Sequence, residues 1–153
     1  MTRISQSLVI QAPAEFIFAQ TQNYSVRNEW DSFHGQVVKL DGGTALAVGS
    51  RLRVKNKQGV AMEVEFIHFQ PPHSAAITML RGPGFLRQFS GSWVFRSLSE
   101  ELTEVKFTYG FTTRWWTCPM LTERLFAWYF ANVVKSRLAG LKRYCEAITK
   151  SRN

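Results

Sequence analysis

Side chains able to do chemistry are few and scattered in this chain. Its three histidines, His34, His68 and His73, share no short spacing. His73 follows Pro71-Pro72 and reads as a solvated loop residue. His68 could serve as a base inside a cavity, against the plainer expectation of a core histidine with its ring satisfied. Cys118 and Cys145 are too few for a disulfide scaffold and lack metal-ligand spacing. There is no HExxH motif, and the RGPGF stretch reads as a turn and not as a phosphate loop. Neither a metal nor a cofactor is expected. Tyr109 and Arg81 could orient a carbonyl group, with packing and rim solvation as their simpler roles.

The elements that would position these groups can be read from periodicity. Ile4–Ile10 reads as a strand, Ala14–Gln20 as a short helix opened by Pro13, and Tyr24–Trp30 as a second short helix. Five or six strands follow, and Pro119 starts a helix running to about Lys150. Two hairpins can be registered. With residues 50–55 facing 61–66, Arg53 meets Glu63 and Arg51 meets Glu65 on one face, while Val54 meets Met62 and Leu52 meets Val64 on the other. Gly59 supplies the φ > 0 residue of the loop. Phe66 and His68 continue the apolar parity. The second hairpin turns at Ser99-Glu100-Glu101. It sets Phe95 against Val105, Trp93 against Phe107, Gly91 against Tyr109 and Phe89 against Phe111, with Arg96 opposite Glu104 outside. Gly91 opposite Tyr109 leaves room for a ring or a ligand.

The last helix carries an apolar stripe of Phe126, Phe130, Val133, Val134, Leu138, Leu141, Cys145 and Ile148 at the 3.6-residue period. Arg137 falls inside that stripe. It must snorkel to the edge, pair with a carboxylate or meet an anionic ligand group, and snorkelling is the expected outcome.

The 153 residues, with 45% apolar, suit one domain spanning 1–153. Twelve Phe, five Trp and four Tyr exceed what close packing needs and suggest a pocket or an interface. The MTRISQS start has no basic-then-apolar leader, and the apolar run Leu125–Val134 is too short to span a bilayer; a cytoplasmic location is expected. Net charge is +8, and residues 105–153 hold nine Lys/Arg against two Glu. Such a surface suits anionic partners or simple solubility. Nucleic acid is not expected, because the aromatics mostly read as inward-facing, whereas a single-strand platform needs them outward beside the cations.

The stretches IQAPAEFIFAQTQNYSVRNEWD, VGSRLRV with GVAMEVEF, and GSWVFRSL with LTEVKFTY, followed by the long helix, resemble the helix-grip superfamily of START domains, birch-pollen-type allergens, and polyketide cyclase/dehydrase and lipid-transport proteins. The resemblance covers nearly the whole chain. It implies an α+β fold in which a curved antiparallel sheet of six or seven strands, with two short helices after the first, wraps around the C-terminal helix. It also implies a cavity between sheet and helix that binds or carries a hydrophobic small molecule such as a lipid, polyketide or isoprenoid-like compound. The rival implication is a cyclase/dehydratase-type enzyme using the same cavity, with Tyr109, Arg81 and His68 as candidate catalytic groups. The expected ligand-binding residues are Met62, Val64, Phe66, Met79, Trp93, Phe107, Tyr109, Phe111, Phe130, Val134 and Arg137.

Strand alternation brings the Lys55–Gly59 turn, the Arg81–Arg87 loop and the Arg114–Pro119 junction to one end, the expected cavity mouth. Phe85, Arg87, Trp115 and Trp116 are its marker residues, beside Lys55, Lys57, Arg81 and Arg114. Leu121, Leu125, Trp128 and Tyr129 point away from the core stripe nearby. Aromatics mixed with cations suit an anionic membrane interface; a homodimer or packing on the short helices would cover the same residues.

Overall fold

A computed structural model describes residues 1–43 and 45–153. The elements run β1 (Thr2–Ile10), α1 (Ala14–Gln22), α2 (Arg27–Trp30), β2 (His34–Lys39), β3 (Arg51–Asn56), β4 (Ala61–Gln70), β5 (Ser74–Arg81), β6 (Leu86–Ser99), β7 (Leu102–Thr113), one 3₁₀ turn (Trp115–Thr117) and α3 (Pro119–Arg152). The seven strands form one antiparallel sheet in the order β1-β7-β6-β5-β4-β3-β2. Strands β2 to β7 meander, and β1 returns to pair with β7. The long helix α3 lies across β1 and β7, so its N-terminal half faces the remaining strands over a gap. This is the α+β helix-grip architecture expected.

The two hairpins have the registers that charge and apolar pairing imply. Arg53 pairs with Glu63 at 2.8 Å and Arg51 with Glu65 at 3.4 Å on the exposed face of β3–β4. In β6–β7, Trp93 opposes Phe107, Gly91 opposes Tyr109, and Arg96 reaches Glu104 at 3.1 Å. The β6–β7 turn is tighter than expected: Ser99 itself pairs with Leu102, and the slack is taken up by a register shift between Ser97 and Ser99.

One parity expectation fails. A second register shift lies between Phe66 and His68, where β4 meets β5. A bulge adds one residue and turns every later side chain to the opposite face. His68 is therefore exposed and bonds Ser74 Oγ at 2.6 Å, while Phe69 packs inward against Phe18 and Phe66.

The core is strongly aromatic. Trp93 packs on Phe107 with ring centroids 4.3 Å apart and edge-on to Trp30 at 6.2 Å. Phe130 of α3 contacts Phe89, Tyr109 and Phe111. Phe111, Val134 and Leu141 are fully buried. Glu123 in the second turn of α3 joins three elements: it accepts from Thr2 Oγ1 at 2.6 Å, from the Thr113 N–H at 3.2 Å and from Thr113 Oγ1 at 3.3 Å.

The close approach of α2 to α3 depends on Gly140. A Cβ at that position would collide with the Trp30 carbonyl oxygen, a backbone atom that cannot swing aside. Alanine is intrinsically better in a helix than glycine by about 1 kcal/mol. Gly140→Ala is nevertheless expected to destabilise the fold by about 1–3 kcal/mol through overpacking, read as a lower denaturation midpoint at unchanged m-value. A stabilised Gly140→Ala protein would refute this contact.

Candidate functional site

A cavity of about 300 Å³ lies between the sheet and α3. Its body is apolar. Leu52, Val64 and Phe66 come from β3 and β4, Phe89, Gly91 and Trp93 from β6, Phe107 and Tyr109 from β7, and Phe126 and Phe130 from α3. Alternation in each strand puts these residues on one face. Arg27, Arg137, Tyr24, His34 and Tyr109 bring polar groups to the same wall. Lys55, Gln58, Val60, Pro83, Phe85 and Tyr129 are also among the lining residues.

The polar groups form one buried cluster. Asp31, fully buried, accepts Arg27 Nε at 2.9 Å, Arg137 Nε at 3.0 Å and Arg137 Nη2 at 2.8 Å, all on Oδ2. Its Oδ1 accepts the Phe33 N–H at 3.1 Å, which fixes the turn from α2 into β2. Arg27 Nη1 donates to the Thr21 carbonyl at 2.6 Å, and Arg137 Nη1 donates to the Tyr109 hydroxyl. Aromatic faces flank both guanidiniums: Arg27 sits 4.9 Å from the Trp30 ring centre and Arg137 4.9 Å from that of Phe107. The Trp30 Nε1–H is buried without an acceptor among the described residues.

Electrostatics keep these groups in fixed protonation states. Burial alone would raise the Asp31 pKa, but the charges of Arg137 and Arg27 and their hydrogen bonds outweigh it and hold the carboxyl well below the usual carboxylate range. Burial works against the Arg137 charge, and Asp31 with Tyr109 more than restores it. Burial also raises the Tyr109 and Tyr24 hydroxyls, so both keep their protons. His34, stacked on Tyr24 with centroids 6.1 Å apart, is lowered to about 4 by burial and by the nearby Arg27 charge.

Arg137 is the main departure from expectation. It does not snorkel; it is buried and paired with Asp31. The partner was hidden because Arg27 and Asp31 sit on and just beyond a four-residue helix, with their i,i+4 spacing as the one sequence signal. Of the expected wall residues, Met62, Val64, Phe66, Trp93, Phe107, Tyr109, Phe130 and Arg137 line the cavity. Phe111 and Val134 do not; they are solid core between α3 and β7. Met79 packs under the Gly82 turn, also off the wall. Of the candidate catalytic groups, Tyr109 is in the cluster, whereas Arg81 is exposed across from Glu63 and His68 is turned outward by the bulge.

At the mouth, the Arg114 N–H bonds the Phe85 carbonyl at 3.0 Å, joining the β5–β6 loop to the junction before α3. Phe85 stacks on Phe126 at 5.0 Å and both line the cavity. Arg87, Trp115 and Trp116 are exposed beside this rim and do not line it.

The sheet, the long helix and the cavity between them define a helix-grip fold. The chain belongs to the family described as polyketide cyclase / dehydrase and lipid transport, which it matches over residues 1–146. A search of curated proteins finds no match. Among solved structures it is similar to a protein from Thermus thermophilus, at TM-score 0.78 and 16% identity over 96% of this chain and 99% of that one. It is also similar to the ZhuI aromatase/cyclase of Streptomyces sp. R1128, at TM-score 0.75 and 15% identity over 95% and 93%. The di-domain ARO/CYC BexL gives TM-score 0.76 and 15% identity over 97% of this chain; the chain spans 48% of BexL's length. These identities show a shared fold.

The cluster imposes a pH profile on stability. Asp31 has a depressed folded pKa, so its contribution is complete above the unfolded value of about 3.9 and is lost as pH falls below it. His34 is also depressed, so stability falls as pH drops from about 6.5, the unfolded value, toward about 4. Asp31→Asn should lower stability at pH 7 by about 3–5 kcal/mol, because it leaves two buried guanidiniums unpaired. His34→Gln should flatten the loss between pH 6.5 and 4 while leaving the lower limb. Urea denaturation from about pH 7 to about pH 3 checks both; parallel profiles for wild type and His34→Gln would refute the His34 assignment.

Proposed function

We propose that this protein binds and carries a hydrophobic small molecule in the cavity between sheet and α3, without transforming it. The observation that carries this reading is a cavity of about 300 Å³ walled mainly by aliphatic and aromatic side chains from the strands and a helix, with its buried charges gathered in one cluster and Lys55, Asn56 and Gln58 at the β3–β4 turn. That volume is at the low end of ordinary small-molecule sites. Buried apolar ligand surface would supply affinity at roughly 25 cal/mol per Å². Met62, Val64, Phe66, Trp93, Phe107 and Phe130 are the contacts proposed for the apolar body.

The rival reading, a cyclase/dehydratase-type enzyme, draws on the likeness to aromatase/cyclases. Against it, Tyr109 is held protonated and bonded to Arg137, Asp31 is fully engaged, and His34 is too weak a base near neutral pH. A carrier needs an orienting group, and those residues suffice for that.

Gly91 offers a direct test. A Cβ there would sit 3.5 Å from Tyr109 and 3.7 Å from Ile77, ordinary contact distances, with the cavity beyond. Gly91→Leu should therefore fill the cavity. Fluorescence of N-phenyl-1-naphthylamine, a neutral apolar probe, should rise with the wild type and be lost with Gly91→Leu, at a fall in stability below the roughly 1–3 kcal/mol of an overpacked solid core. Probe binding unchanged by the variant would sink the cavity assignment.

We also propose that the mouth docks on an anionic membrane surface to exchange ligand, with the carrier in the cytoplasm. Met120 is 89% exposed, Trp115 86%, Leu121 73% and Trp128 69%, and Trp116 and Leu125 lie with them on the start of α3 and the turn before it. Exposed Arg114, Arg124, Arg81, Arg87, Lys55 and Lys57 supply positive charge around the mouth, while the nearby carboxylate of Glu123 is engaged by Thr2 and Thr113. Each cation near an anionic surface contributes about 1 kcal/mol, screened over about 10 Å at 0.1 M salt. Sedimentation with vesicles containing phosphatidylserine should show salt-sensitive binding that the double substitution Trp115→Ala/Trp116→Ala weakens without unfolding the domain. A stable homodimer that buries these tryptophans and ignores vesicles would overturn it.

A further inference from the structure

The buried cluster does not balance its charge. Arg27 and Arg137 each carry a full positive charge, and Asp31 is the one carboxylate that touches either of them among the described residues. Tyr24, Tyr109 and His34, the other titratable groups on this wall, are neutral near pH 7. One positive charge is therefore left over inside an apolar cavity. A charge taken out of water without a partner is strongly unfavourable. The Trp30, Trp93 and Phe107 faces offset part of that penalty, at 4.9–6.0 Å from the guanidinium centres.

Both arginines line the cavity. Each guanidinium has five N–H donors, and the hydrogen bonds to Asp31, Thr21 and Tyr109 do not use them all. The planar fork of N–H groups matches a carboxylate or a similar delocalised oxyanion. The apolar end of the cavity is some way off: Phe126 lies eleven residues before Arg137 on the same helix, about 16 Å along its axis.

From this we infer that the ligand is an amphipathic monoanion, an aromatic or aliphatic body ending in a carboxylate or comparable oxyanion that closes the charge of the Arg27–Asp31–Arg137 cluster. The inference rests on the cavity reading above and narrows it from any apolar molecule to acidic ones. Arg27 is the specificity-determining residue, because Arg137 and Asp31 alone already make a neutral pair.

The test is a matched pair of ligands. With N-phenyl-1-naphthylamine bound as neutral reporter, 2-naphthylacetate and 2-naphthylacetamide are compared as displacers at about pH 7 in roughly 0.5 M NaCl, where attraction to surface cations is screened. The acid should displace the reporter roughly tenfold more tightly than the amide, the size of one or two charge-assisted hydrogen bonds. Arg27→Gln should bring acid and amide together while the reporter still binds. Should Arg27→Gln fail to fold, the wild-type comparison decides alone. Equal displacement by acid and amide overturns the inference and leaves the cavity reading standing; a reporter that never binds overturns both. A preference for the acid that survives Arg27→Gln removes Arg27 from the role.

Discussion

Asp31 is the hinge pin of this structure. It receives hydrogen bonds from the short helix α2 through Arg27 and from the long helix α3 through Arg137, and its second oxygen holds the turn into β2. The segment between β1 and β2 is thereby tied to the helix that the sheet grips. Such an arrangement is intolerant of change, because a buried ion pair is costly to break even when it adds little over a well-packed apolar alternative. Gly140 serves the same junction from the other side by letting the Trp30 carbonyl approach α3.

The cluster also places fixed polar donors beside an aromatic cavity. Apolar walls bind by area and discriminate poorly among bodies of similar size, whereas a fixed set of donors in a low-dielectric site discriminates sharply among head groups. In this protein the donors are held by each other. Arg137 is oriented by Asp31 and by Tyr109, and Arg27 by Asp31 and the Thr21 carbonyl. On the proposed reading, a ligand would meet side chains already in place, with little ordering left to do on binding.

The fold separates the polar cluster from the rim of the cavity. Phe85, Phe126 and Tyr129 stand where the cavity meets the rim, and the exposed tryptophans lie just outside it. Over the same stretch, α3 turns Phe126 and Phe130 inward and Leu121, Leu125 and Trp128 outward. An amphipathic helix normally pairs an apolar face with a polar one; here Leu121, Leu125 and Trp128 put apolar side chains on the outward side as well, beside the exposed Arg124, which is unusual for a surface meant only for water.

Local pattern determined most of the architecture. Cross-strand charge pairs and alternating apolar residues set both hairpin registers, since a slip of one residue would have put Arg53 and Glu63 on the core face. The 3.6-residue stripe likewise placed Phe130 and Leu138 inside. Two things lay beyond such patterns. The bulge between Phe66 and His68 has no residue signature, yet it reverses parity and moves His68 from wall to surface. The pairing of Arg137 with Asp31 spans 106 positions. Periodicity could show that an arginine stood in an apolar stripe, but whether it snorkels or pairs depends on which distant carboxylate the packing of α2 on α3 brings to about 3 Å, and only the tertiary structure decides that.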